Sequence, residues 1–163
     1  MAGIINVSAS FTTATDAAAY ASGDLIANSA TPGSVTPLSF AVGVSQFRVL
    51  RARVKLSLGG GSGFICRLHL YSSSPTVTNG DNGAWLSTES GWLGSVACLT
   101  HSVTFNAPDG VAGCPEVGTA SFPLPMAVAL PSGTTVYGLL EARNAFSMAA
   151  ASVATVTLEV ERP

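Results

Sequence analysis

Charge is what this sequence has least of. Only 10% of its 163 residues are Asp, Glu, Lys or Arg, where an ordinary soluble domain has about 25%. A free monomer normally clothes its surface in such residues. Here either Ser, Thr, Ala and Gly form much of the outside, or other subunits cover it. Interface cores are depleted in charge, and the composition favours an oligomer or a larger assembly.

Other absences narrow the function further. The net charge is −2 and the isoelectric point about 5.5, with no run of Lys and Arg. A nucleic-acid footprint needs a basic patch and a high isoelectric point, so DNA and RNA are not expected partners. No apolar stretch approaches the roughly 20 residues that span a bilayer as a helix, and no membrane association is expected. Met1 to Ser10 lacks the basic start and apolar core of a signal peptide. The three cysteines, Cys66, Cys98 and Cys114, are odd in number and without C-x-x-C spacing. Buried free thiols made in a reducing cytoplasm are the expectation; spacing alone leaves a Cys98–Cys114 bridge open.

Catalytic apparatus is equally scarce. The two histidines, His69 and His101, both fall in strand-like segments, and each reads as a surface or structurally hydrogen-bonded side chain. No G-x-S-x-G elbow exists to present a nucleophilic serine. Cys66 and His69 are three apart on a strand, which places them on opposite faces. The clustered Cys and His that hold zinc are missing. Asp81, Asn82 and Asp109 have oxygens suited to calcium, but they sit in turn-forming contexts and read as turn chemistry. The acidic residues are scattered, with no readable carboxylate pair for glycoside cleavage. The glycine-rich run Gly59 to Gly63 lacks the Gly-Lys-Ser/Thr ending of a phosphate loop. No enzyme activity, metal or cofactor is expected.

What the sequence does have is alternation with a period of two, the mark of half-buried strands. Over residues 51–58, Val54, Leu56 and Leu58 share one face, and Arg51, Arg53, Lys55 and Ser57 the other. With Arg48, these cations form the only basic cluster and read as one solvated strand face. Over residues 64–71, Phe64, Cys66, Leu68 and Leu70 point one way, and Ile65, Arg67, His69 and Tyr71 the other. Residues 153–161 place Ala154, Val156, Leu158 and Val160 inward, and residues 134–142 follow a Pro131-Ser132-Gly133 turn signal. Weaker strands are predicted at 4–13, 23–28, 35–42, 96–105 and 119–130, the last interrupted by Pro125. About eight or nine short strands without intervening helices make an antiparallel sandwich or barrel. A single domain over residues 1–163 is expected, with an N-terminal arm at about 1–19.

The longest stretch without strand pattern, Ser72 to Gly94, holds Pro75, Gly80-Asp81-Asn82, Trp85 and Trp92. A loop of this length is usually functional or packed against something. Trp85, Trp92 and the nearby Tyr71 are candidates for stacking on a sugar ring, although aromatics also serve simply as packing.

Two segments carry a family resemblance. Tyr20-Ala21-Ser22-Gly23-Asp24-Leu25-Ile26-Ala27, continuing to Val35-Thr36-Pro37-Leu38-Ser39-Phe40, resembles the opening of small virion proteins of tailed phages. Phe64 to Asn82 is similar to a later segment of that group, in which an alternating strand leads to a proline and then Gly-Asp-Asn. The basic strand between them is similar as well. Together they cover the first half of the chain. The resemblance implies a head decoration (cement) protein: a jelly-roll-like antiparallel β-sandwich of about eight strands, on the capsid exterior as a homotrimer bound to the major capsid protein. No catalytic residues come with it. Asp24, Asp81 and Asn82 are read as turn and loop determinants, and Trp85 and Trp92 join them as loop or interface positions. The rival expectation is a glycan-binding module of a phage tail or fibre.

Overall fold

The computed structural model describes residues 3–15, 19–56, 65–85, 90–99, 111–113 and 124–163. Twelve strands order the described chain: β1 (Gly3–Thr12), β2 (Ala19–Tyr20), β3 (Leu25–Ile26), β4 (Leu38–Ala41), β5 (Gln46–Leu56), β6 (Ile65–Tyr71), β7 (Trp92–Leu99), β8 (Val111–Gly113), β9 (Met126–Ala129), β10 (Thr135–Ala142), β11 (Phe146–Ser147) and β12 (Val153–Arg162). Gly3 to Thr12, inside the span expected as an arm, pair with β12 along their whole length.

The pairings nest. β1 joins β12, β3 and β4 join β10, β5 joins β8 and β9, and β6 joins β7, all antiparallel. This is one long hairpin whose tip lies between β6 and β7. Rolling it up lays β12 against β5 and β10 against β6. The result is two layers, β1-β12-β5-β8/β9 and β3/β4-β10-β6-β7. That strand order is a jelly roll, so the all-β sandwich expected from alternation is the fold observed.

The layers meet over a continuous apolar core. β12 contributes Ala154, Val156, Leu158 and Val160, all fully buried, as their alternation predicts. β6 sends in Cys66, Leu68 and Leu70, β4 Leu38 and Phe40, and β10 Val136, Leu140 and Ala142. Each large aliphatic side chain removed from water in this way is worth about 1.5–3 kcal/mol.

β5 departs from simple alternation in an informative way. Its register against β12 shifts between Glu159 and Val160, so Leu50 is the extra residue of a β-bulge. The bulge changes the phase of the strand. Phe47 and Val49 point inward before it, Ala52 and Val54 after it. Arg48, Arg51, Arg53 and Lys55 therefore all emerge on the same exposed face, although Arg48 is out of step with the others in sequence. Glu159 lies opposite Arg51 on this face, and Glu161 approaches Arg48 at 3.8 Å.

Candidate functional site

The outer face of the second layer is not solvated. Residues 72–85 and the chain around Ala27 and Val35 lie across it. They build a second apolar cluster from Leu25, Ala27, Tyr71, Val77 and Leu139, with Trp85 and Tyr137 at its margin. This covered face holds most of the residues singled out from the sequence.

Gly80-Asp81-Asn82 fastens the covering segment. The backbone N–H of Asp81 donates to Ser29 O at 2.7 Å, that of Asn82 to Leu25 O at 2.9 Å, and that of Leu25 to Gly83 O at 2.8 Å. Trp85 N–H closes the far end on Gly23 O at 2.6 Å. The buried Asp81 carboxylate accepts the Tyr20 hydroxyl at 2.9 and 3.0 Å and the Ala27 N–H at 2.6 Å. Tyr20 itself stacks on Phe146, its partner across the β2–β11 ribbon, with centroids 4.9 Å apart. One carboxylate thus joins the ribbon, the end of β3 and the loop. Those partners are hydrogen-bond donors from the protein itself, the satisfaction a buried carboxylate requires.

Asn82 takes a left-handed backbone, φ 59°, which Asn tolerates better than most residues. Its side-chain amide reaches Asp24 Oδ2 at 3.2 Å and Ala19 O at 3.0 Å. Asp24 in turn accepts the Ala21 N–H at 2.6 Å. Asp24 and the distant pair Asp81-Asn82 meet at the root of one loop. Asp109 and His101 lie outside the described residues, as does a Cys98–Cys114 bridge. No group of three metal-ligating side chains occurs among the described residues.

Beneath Trp85 sits a polar cluster that alternation alone did not disclose. His69 and Glu141 project from β6 and β10 with only 5% and 7% of their side chains exposed. His69 Nε2 lies 2.9 Å from Glu141 Oε2, and Arg143 Nη1 donates to Glu141 Oε1 at 2.8 Å. Burial lowers the affinity of the His69 ring for a proton. The pull of Glu141 opposes this, and the charges of Arg67 and Arg143 reinforce it, leaving the pKa below the ordinary 6.5. Burial works the other way on Glu141, but the hydrogen bonds from His69 and Arg143 outweigh it and hold the carboxyl below its ordinary value. The pair is consequently a neutral imidazole donating from Nε2 to an ionised carboxylate. His69 Nδ1 is then left as a buried acceptor with no hydrogen-bond partner among the described residues.

The indole of Trp85 stacks on His69, with ring centroids 3.9 Å apart and planes 19° from parallel. A ring packed in this way has one face already occupied. Trp92 differs. It lies opposite Tyr71 at the start of β7, where Leu93 is an extra residue against β6, and it is 42% exposed. The structure therefore separates the two tryptophans into one that packs and one that faces solvent. Cys66 points into the main core, away from His69, and burial pushes its thiol well above the ordinary value.

The His69–Glu141 pair has one sequence signal in retrospect. Tyr137 and Leu139 fall on the same side of β10 as Glu141, a face too apolar to be left in water. Comparison with known proteins adds no assignment: no family model matches the chain, and no curated protein matches it.

Proposed function

We propose that this protein is a non-enzymatic structural component of a phage virion, made in the host cytoplasm. In this reading it decorates and stabilises the capsid exterior as a homo-oligomer bound to the major capsid protein. The observation that carries the reading is the charge-poor surface of an eight-position jelly roll, an architecture shared by viral capsid proteins and lectins. Fold by itself does not decide function, so the weight rests on the surface and on the sequence resemblance over residues 20–40 and 64–82. Hydrogen bonds from within the protein hold Asp24, Asp81 and Asn82 in place, which supports reading them as parts that shape a scaffold.

The test is co-sedimentation of the purified protein with phage heads, beside light scattering of the protein alone. Binding at a fixed number of copies per head, by a protein that self-associates, is the expected result. A monomer that never sediments with heads overturns the proposal. A glycan-binding reading would run through the exposed Trp92, because His69 already occupies a face of Trp85. Glycan-array binding lost on Trp92→Ala would favour that reading over decoration.

A further inference from the structure

We propose that β1 is a self-association strand: a second copy of this chain lays its own β1 antiparallel along the free edge of the first, joining two β1-β12-β5 layers into one continuous sheet. The inference rests on the self-association assumed above and names the surface that performs it.

Among the described residues, β1 hydrogen-bonds to β12 on one side and to no strand on the other. It is 10 residues long, about 33 Å at the usual strand rise. Alternate residues therefore turn their N–H and C=O toward an open edge. Exposed edges are ordinarily blunted by charge, proline, a bulge or brevity. Gly3 to Thr12 contains no charged residue and no proline. Its register runs without a shift from Gly3 opposite Arg162 to Thr12 opposite Val153. The edge strands β3, β4, β8 and β9 are only two to four residues long, and the β6–β7 ladder is interrupted by its bulge. Among the described edges, only β1 is long, regular and without charge, proline or bulge, and β4 of the other layer approaches it only near its C-terminal half.

The side chains of β1 also lack cover. Ile5, Val7, Ala9 and Phe11 pack on the core yet remain only partly buried, and Ile4 is 63% exposed. A groove of about 680 Å³ opens between Ala9–Thr12 and Thr36–Ser39, along the same side of the sandwich.

The strand is complementary to itself. Opposed residues of an antiparallel pair point to the same side of the sheet, so joining the apolar faces requires odd-numbered residues to meet odd-numbered ones. Two-fold axes through Val7 and through Ser8 both do this over equal spans of β1, and the axis through Ser8 is the one that sets Phe11 against Ile5 instead of Gly3. Ile5 then meets Phe11 and Val7 meets Ala9 on the core side. Ile4 meets Thr12 and Asn6 meets Ser10 on the outer side. Aromatic and β-branched pairs of this kind stabilise sheets, and no like charges are brought together. A two-fold contact closes at two copies. The three copies implied by the resemblance would have to use a different surface.

Ser8 provides the test because it lies on the outer face, where it exchanges a hydrogen bond with Thr157 at 2.8 Å, and would face its own symmetry mate. Light scattering on the full chain is expected to find a dimer. Ser8→Lys and Ser8→Asp each place like charges on the axis and should raise the dimer dissociation constant on the order of tenfold or more. Mixing the two variants sets lysine against aspartate and should restore dimers, which also shows that both chains are folded. A wild-type monomer, an oligomer indifferent to both substitutions, or a mixture that fails to re-associate overturns the proposal. If such a protein still sediments with heads, the decoration reading survives the loss of this one. If the Ser8 variants behave as expected but nothing binds heads, the reverse holds.

Discussion

Gly80 is held against the backbone of Ala30 so closely that a single methyl group tests the whole loop anchor. A Cβ at Gly80 would lie 2.0 Å from Ala30 O and 2.3 Å from its carbonyl carbon, where ordinary contact begins at 3.4 Å. Both obstacles are main-chain atoms and cannot rotate aside. Gly80→Ala must therefore drive the two strands of chain apart by about 1.4 Å. That displacement exceeds what the Asp81 N–H to Ser29 O bond at 2.7 Å and the Ala27 N–H to Asp81 bond at 2.6 Å can absorb. Losing a backbone bond at about 1 kcal/mol and a carboxylate bond at about 1.5–3 kcal/mol sums to roughly 2.5–4 kcal/mol. This is a large part of the 5–15 kcal/mol typical of a domain. Gly33 is the control: it has φ +77° but open space around it, so Gly33→Ala should cost only about 1–2 kcal/mol from backbone strain. Urea unfolding followed by circular dichroism measures both. Equal losses for the two variants, or a Gly80→Ala loss below about 1 kcal/mol, would refute the close contact and the anchor built on it.

The His69–Glu141 pair makes stability fall with acid in two stages. Folded His69 binds its proton less readily than the unfolded chain, so stability declines as pH drops below about 6.5. Glu141, depressed in the folded state, contributes fully above its ordinary value of 4.5 and loses that contribution as pH falls further, through its folded pKa. Urea midpoints measured from pH 8 to pH 3 should show both declines. Glu141→Gln should cost about 1–3 kcal/mol at pH 7, with the gap to wild type narrowing at the acid end; a gap that widens there contradicts the assignment. The two tryptophans should behave differently in the same assay. Trp85→Ala uncovers His69 and should cost about 2–4 kcal/mol, while Trp92→Ala should cost less than about 1 kcal/mol.

How far the sequence could be read depended on range. β12 was legible residue by residue, because Ala154 to Val160 alternate cleanly and one face meets the core. β6 was legible on one face only. Cys66, Leu68 and Leu70 pointed to the core, but nothing local said that His69 and Tyr71 on the other face would be covered as well. That covering depends on residues 72–85 folding back over the sheet. The phase change at Leu50 was hidden for a related reason: a bulge is defined by the partner strand, and β12 lies about a hundred residues further on. Glu141 read as a strand residue because its partner, His69, is 72 positions away. Gly80 looked like turn punctuation, while its structural demand is the close approach of Ala30. Trp85 was weighed both as simple packing and as a sugar platform, and it packs on His69. In each case short-range pattern identified the element, and tertiary contact decided its role.

β12 has a consequence for how the chain comes to be folded. It occupies the middle of its layer, with β1 on one side and β5 on the other, and both are translated about a hundred residues or more earlier. At the usual synthesis rate of about 5–20 residues per second, those two strands wait several seconds on the ribosome before the piece between them exists. Non-local pairing of this kind is intrinsically slow. Until Val153 to Arg162 emerge, the apolar sides of β1 and β5 have no native partner between them. The nascent protein must stay soluble through that interval, and mutations that lengthen it should lower the yield of folded protein without altering its final stability.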